Sequence, residues 1–125
     1  MSAKEQLRRL RKSEAEIDTL TQRILSLTEE AQALADTASG ADVLDNIQRL
    51  QNLCSEKMRT TMQDREAAMQ RILAIDDSDL RTLLLLYYCE GNTWDDVAEA
   101  MGYSRRQVTR LHREALQAFA QKKLA

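Results

Sequence analysis

The sequence predicts an all-α protein, a long N-terminal antiparallel helical hairpin of coiled-coil-like pattern followed by a smaller C-terminal helical domain. Three observations carry this reading. The 125 residues include no proline and three glycines, too few for the turns of an all-β chain. Leu, Ala, Gln, Arg and Glu dominate, and all are strong helix formers. Apolar residues recur at spacings of three, four and seven over much of the length. With 43% hydrophobic and 30% charged residues, the chain is too apolar for disorder. No apolar run approaches the roughly 20 residues of a membrane span.

The first helix is expected over residues 3–35. Leu10, Ile17, Leu20, Ile24, Leu27, Ala31 and Leu34 form a heptad-like seam that Ser13 interrupts. Residues 36–41, Asp-Thr-Ala-Ser-Gly-Ala, form a small polar break in which Gly40 can take the left-handed conformation, and Asp42 can cap the next helix. That second helix is expected over 43–75, with Leu44, Ile47, Cys54, Met58, Ala68, Ile72 and Ile75 on one stripe and Gln51, Thr61 and Arg65 as polar gaps. Each helix would be about 50 Å long. A short connection between helices of equal length argues for antiparallel pairing. Neither stripe is wide enough to stabilise an isolated hairpin, so residues 1–75 are expected to act as an oligomerisation arm that packs on a second copy or on the C-terminal helices. Met58, Met62 and Met69 read as packing residues.

Residues 76–125 read as a separate domain. Asp76-Asp77-Ser78-Asp79 places three acids at a helix start, where the dipole favours them, and Leu80, Leu83, Leu84, Leu86, Tyr87 and Tyr88 mark a core helix. Glu90-Gly91-Asn92 ends it. Thr93 caps a short helix, Trp94–Met101, with Asp96 at the capping-box position; Gly102 stops it. Ser104 caps the last helix, Gln107 completes a second box, and Tyr103 and Val108 stand at the staple positions. A two-turn helix, a Gly-containing turn and a longer helix in succession make a helix-turn-helix.

The last helix is two-faced. Val108, Leu111, Ala115 and Phe119 share an inner face, while Arg106, Thr109, Arg110, Arg113 and Gln117 lie opposite and Arg105 projects from the first turn. The chain as a whole has net charge −2, but residues 104–125 hold six bases against one acid, while 76–103 hold seven acids against one base. A basic face on the second helix of this motif suits duplex DNA: arginine pairs bidentately with guanine and glutamine with adenine in the major groove. Ser104, Arg105, Arg106, Gln107, Thr109, Arg110 and Arg113 are therefore the candidate DNA-binding residues.

No other chemistry emerges. His112 stands without an acid or cysteine cluster, so it reads as a packing residue, with no metal site and no cofactor expected. Cys54 and Cys89 read as free thiols of a reduced compartment. The opening Met-Ser-Ala-Lys-Glu-Gln is not a secretory signal, and a cytoplasmic protein without membrane contact is expected. With no Gly-rich phosphate loop and no paired acids, no catalytic constellation is present and no enzyme is expected.

The run LRTLLLLYYCEGNTWDDVAEAMGYSRRQVTRLHREAL, Leu80 to Leu116, resembles region 4 of sigma-70-type factors. It shares the apolar-Tyr helix, the Val-Ala-x-x-Met-Gly helix and the Ser-Arg start of the last helix. The whole chain is similar to small phage and prophage transcription regulators of the RinA/ArpU-like kind. That resemblance implies duplex reading by the last helix at a phage promoter, together with host RNA polymerase. Ser104 matches the capping position, Arg105 the first-turn arginine, and Val108 and Leu111 the core positions. Arg106 and Arg110 stand where sigma factors commonly carry Glu and Gln, so a different promoter element is expected. The competing expectation is a phage assembly or DNA-packaging protein, similar to a terminase small subunit, that oligomerises through the hairpin.

Overall fold

The computed structural model describes residues 2–34 and 39–122. These form five α-helices and one π-helical turn, with no strand among the described residues: α1 Ala3–Ala33, α2 Ser39–Leu73, α3 Ser78–Leu84, the π turn Leu85–Cys89, α4 Trp94–Met101 and α5 Arg105–Gln121. The expected break at 36–38 and the base Lys123 lie outside the described residues.

α1 starts on a capping box that the heptad pattern does not reveal. The Ser2 hydroxyl accepts from the Glu5 N–H at 3.1 Å, and the Ser2 N–H donates to the Glu5 carboxylate at 3.2 Å. α2 begins earlier than expected. Asp42 is not its cap but lies in its first turn, where a negative charge still complements the dipole. Gly40 is helical and buried; the left-handed glycines are Gly91 and Gly102.

The hairpin is antiparallel as expected. Leu27 of α1 packs with Val43 and Ile47 of α2 near the tip, and Lys57–Glu16 at 3.2 Å and Arg65 with Glu14 tie the shafts. The buried row on α2 is Val43, Ile47, Cys54, Thr61, Ala68 and Ile72, and Ile75 continues it just beyond the helix. Leu44 and Met58 fall one residue off that heptad row, and they are 60% and 44% exposed rather than on the seam. Thr61 Oγ1 is buried without a hydrogen-bond partner among the described residues, and Ser13 is also buried, so small polar residues interrupt the apolar seam in the middle of the hairpin.

At the other end, the hairpin and the C-terminal helices share one core. Leu7 and Leu10 of α1 and Ala68, Ile72 and Ile75 around the end of α2 are buried with Leu83, Leu84, Tyr88, Val97, Val108, Ala115 and Phe119. Two arginines reinforce this junction. Arg71 of α2 lies over the Phe119 ring at 3.9 Å and donates to the Phe119 carbonyl at 2.8 Å, the Lys122 carbonyl at 2.7 Å and Gln6 Oε1 at 2.6 Å. It thereby donates to two carbonyls at the end of α5, one of which, that of Phe119, also accepts the Lys122 N–H at 3.2 Å. Arg11 of α1 lies over the Tyr87 ring at 3.9 Å and donates to the carbonyls of Tyr87 and Asn92.

The π turn was not predicted by the sequence, which reads as one continuous helix to Cys89. The Glu90 N–H bonds the Leu85 carbonyl at 2.9 Å, a five-residue step. The freed Tyr87 carbonyl is taken by Arg11, 76 residues away in the chain. The widened turn buries Tyr88 to 3% exposure while stacking Tyr87 face to face on Trp94 at 3.7 Å between ring centroids.

Candidate nucleic-acid interface

α3, α4 and α5 build the site upward from their caps. Asp77 accepts from the Asp79 and Leu80 N–H groups and starts α3. The Thr93 hydroxyl accepts from the Asp96 N–H at 3.2 Å and starts α4. Gly102, at φ 72°, closes α4: its own N–H bonds the Glu99 carbonyl and the Tyr103 N–H bonds the Ala98 carbonyl. A residue with a side chain is strained at this φ, so the tight turn into α5 depends on glycine. The Tyr103 hydroxyl then donates to Asp79 at 2.6 Å, fastening the turn to α3; that hydrogen bond raises the Tyr103 pKa.

Both halves of the second capping box are formed. The Ser104 hydroxyl accepts from the Gln107 N–H at 3.2 Å, and Gln107 Oε1 accepts from the Ser104 N–H at 2.8 Å. Ser104 and Gln107 thus set where α5 begins, and the Gln107 carbonyl oxygen is engaged in doing so. Val108, Ala115 and Phe119 are buried beneath the helix, and Leu111 is half-buried.

The remaining candidates divide by what they already touch. Arg105 is exposed and paired with Asp95 of α4 at 2.6 Å. The Thr109 hydroxyl donates back to the Arg105 carbonyl at 3.0 Å. Arg106, Arg110 and Arg113 are exposed and make no hydrogen bond or ion pair with a described residue. At spacings of four and three they form one outer stripe, continued by exposed Gln117.

Beside α5 lies a recess of about 310 Å³ that sequence reading missed. Lys4 and Arg8 enter it from the start of α1, Arg105 and Thr109 from α5, with Trp94 and His112 on its wall. The available signal was the run of five bases between residues 4 and 12, which reads as the solvated end of a long helix. His112 is a packing residue, as expected: burial, and secondarily Lys4, push its pKa down to about 4. The thiols are free, Cys54 buried and Cys89 half-buried, with the Cys89 pKa raised by burial. Among the described residues no cluster of His, Cys, Asp or Glu could hold a metal, and no helix is long and apolar enough to cross a membrane.

Residues 76–120 match the family model of a homeodomain-like domain. The match spans the three helices whose last two form the helix-turn-helix, and it is consistent with DNA binding. It leaves the hairpin uncovered. No curated protein and no solved structure matches the chain. The third helix of the matched region is α5, which carries the three arginines that make no hydrogen bond or ion pair with a described residue.

Proposed function

We propose that the protein is a sequence-specific, duplex-DNA-binding transcription regulator of phage or prophage origin, akin to sigma-70 region 4 and acting in the cytoplasm with host RNA polymerase. The observation that carries the DNA reading is the outer stripe of α5. Arg106, Arg110 and Arg113 have no hydrogen-bond or ion-pair partner among the described residues and stand on a helix whose start is fixed by the Ser104–Gln107 box, and exposed arginines on a rigid helix are what base-edge and phosphate recognition needs. The regulator, phage and polymerase parts rest on the resemblance of Leu80–Leu116 and of the whole chain. Ser104 and Gln107 position the helix. Arg106 and Arg110 read bases, Arg105 and Thr109 face the groove edge, and Arg113 holds phosphate.

The hairpin serves self-association. Leu25, Leu44, Leu53 and Met62 are each at least half exposed along it, an apolar surface that a second copy would cover.

Selection of bound sequences from a random duplex pool tests the reading. A defined, repeated motif supports the regulator. Tight binding without any motif refutes it and supports an assembly or packaging protein.

A further inference from the structure

The recess beside α5 has four cations on its wall and no acid. The cations differ in what they already do. Arg11 is committed to the Tyr87 and Asn92 carbonyls, and Arg105 to Asp95. Lys4 and Arg8, one helical turn apart on α1, are exposed and make no hydrogen bond or ion pair with a described residue. Unneutralised like charges gathered at one edge of a domain create a local positive potential that draws in an anion. Their field reaches the neighbouring side chains, since Lys4 contributes to keeping His112 neutral.

Position decides which anion. At 100° per residue, Arg105 and Thr109 lie on a flank of α5 roughly 90° from the stripe of Arg106, Arg110 and Arg113. A helix about 10–12 Å across nearly fills a major groove about 12 Å wide. When the outer stripe faces the base edges, this flank faces one sugar-phosphate wall. Lys4 and Arg8 stand on that side. We infer that Lys4 and Arg8 hold a backbone phosphate of the bound duplex, so that the first turns of the hairpin arm are part of the DNA interface. The inference rests on the reading of α5 as the groove-facing helix. Such a contact carries no base information; it adds affinity and fixes the angle at which α5 lies in the groove. A free mononucleotide would fit the volume, but the two uncommitted cations are exposed at the rim, where a continuous backbone passes.

The test uses the full chain with a selected duplex and a scrambled duplex of equal length over a range of salt. Lys4→Gln combined with Arg8→Gln should weaken both duplexes on the order of tenfold near 0.1 M salt, lower the salt slope by about one and leave the preference ratio intact. The charge-keeping pair Lys4→Arg and Arg8→Lys should bind as the unmodified protein does. In the unmodified protein, either duplex should protect Lys4 from amine acylation read by mass spectrometry. Unchanged affinity and salt slope in the glutamine pair, while Arg106→Ala still relaxes preference, overturn the inference and leave the α5 reading standing. If Arg106→Ala, Arg110→Ala and Arg113→Ala also change nothing, both fall. Protection of Lys4 by inorganic phosphate or a mononucleotide but not by duplex overturns it in favour of a small-anion site.

Discussion

The Tyr88 hydroxyl meets Nε2 of His112 at 2.6 Å, joining the π turn to the middle of α5. Burial pushes the Tyr88 pKa up to about 12 and the His112 pKa down to about 4. Both groups therefore stay neutral over the whole physiological range and share one hydrogen bond between the hydroxyl and Nε2. Trp94 packs against the same imidazole at 4.5 Å between ring centroids, so α4 is fastened to the same point.

This pairing predicts a pH dependence. Unfolded His112 takes up its proton near pH 6.5, whereas folded His112 resists until about 4. Between those values the unfolded chain binds more protons, so stability is complete above about 6.5 and declines as pH falls toward 4. Melting followed by circular dichroism from pH 7 to 5 should show this decline, and His112→Gln should flatten it. An equal slope in the variant would place the titrating group elsewhere.

Ser104→Ala removes the acceptor for the Gln107 N–H and should lower unfolding free energy by about 1 kcal/mol. Ser104→Asp should retain most of it. Chemical denaturation measures both, and a wild-type midpoint for the alanine variant would mean that α5 does not depend on this cap.

Leu7 is fully buried, in the same core as Phe119. Leu7→Ala should destabilise the protein by about 2–5 kcal/mol, and the loss should appear in the fluorescence of Trp94, the one tryptophan, although that residue lies in the C-terminal helices. A Trp94 transition that keeps its wild-type midpoint would show that the two ends of the chain unfold independently.

Arg106→Ala or Arg110→Ala should relax sequence preference by about 1–3 kcal/mol, a bidentate arginine–guanine contact. Arg113→Ala should weaken preferred and scrambled duplexes alike and reduce the salt slope by about one. Titrations of both duplexes at two salt concentrations separate these effects. Indifference to all three substitutions would make the stripe a solvated surface.

Leu44→Asp with Leu53→Asp should lower the assembly state without unfolding, because both side chains are at least half exposed. Light scattering reads the mass. An unmodified protein that stays monomeric at high micromolar concentration would sink the self-association proposal.

What could be read from the sequence is what is local. Ser104 and Gln107 sit three residues apart, and Thr93 and Gly102 bracket α4, so their backbone bonds arise between near neighbours. Leu7 escaped because the seam is broken at Ser13, and its partners arrive from α2, the π turn and α5. The π turn escaped because its loosened carbonyl is satisfied by Arg11 from the far end of the chain. Gly40 was misread because glycine serves both a left-handed turn and a crowded helix, and local sequence does not say which. Lys4 and Arg8 escaped as site residues because nothing nearby in the sequence brings them to α5.

Arg71 leaves no free joint between the hairpin and α5, since one guanidinium engages α1, α2 and the last turn of α5 together. In a two-fold symmetric assembly joined through the hairpins, the two copies of α5 would be held at one separation and one rotational phase. Duplex DNA repeats every 10–10.5 base pairs, about 34–36 Å. Such a rigid pair discriminates between operators by the length of the spacer as well as by its half-sites. One inserted base pair would turn the second half-site away by roughly a tenth of a revolution, and inserting a full helical repeat would restore the phase but not the distance.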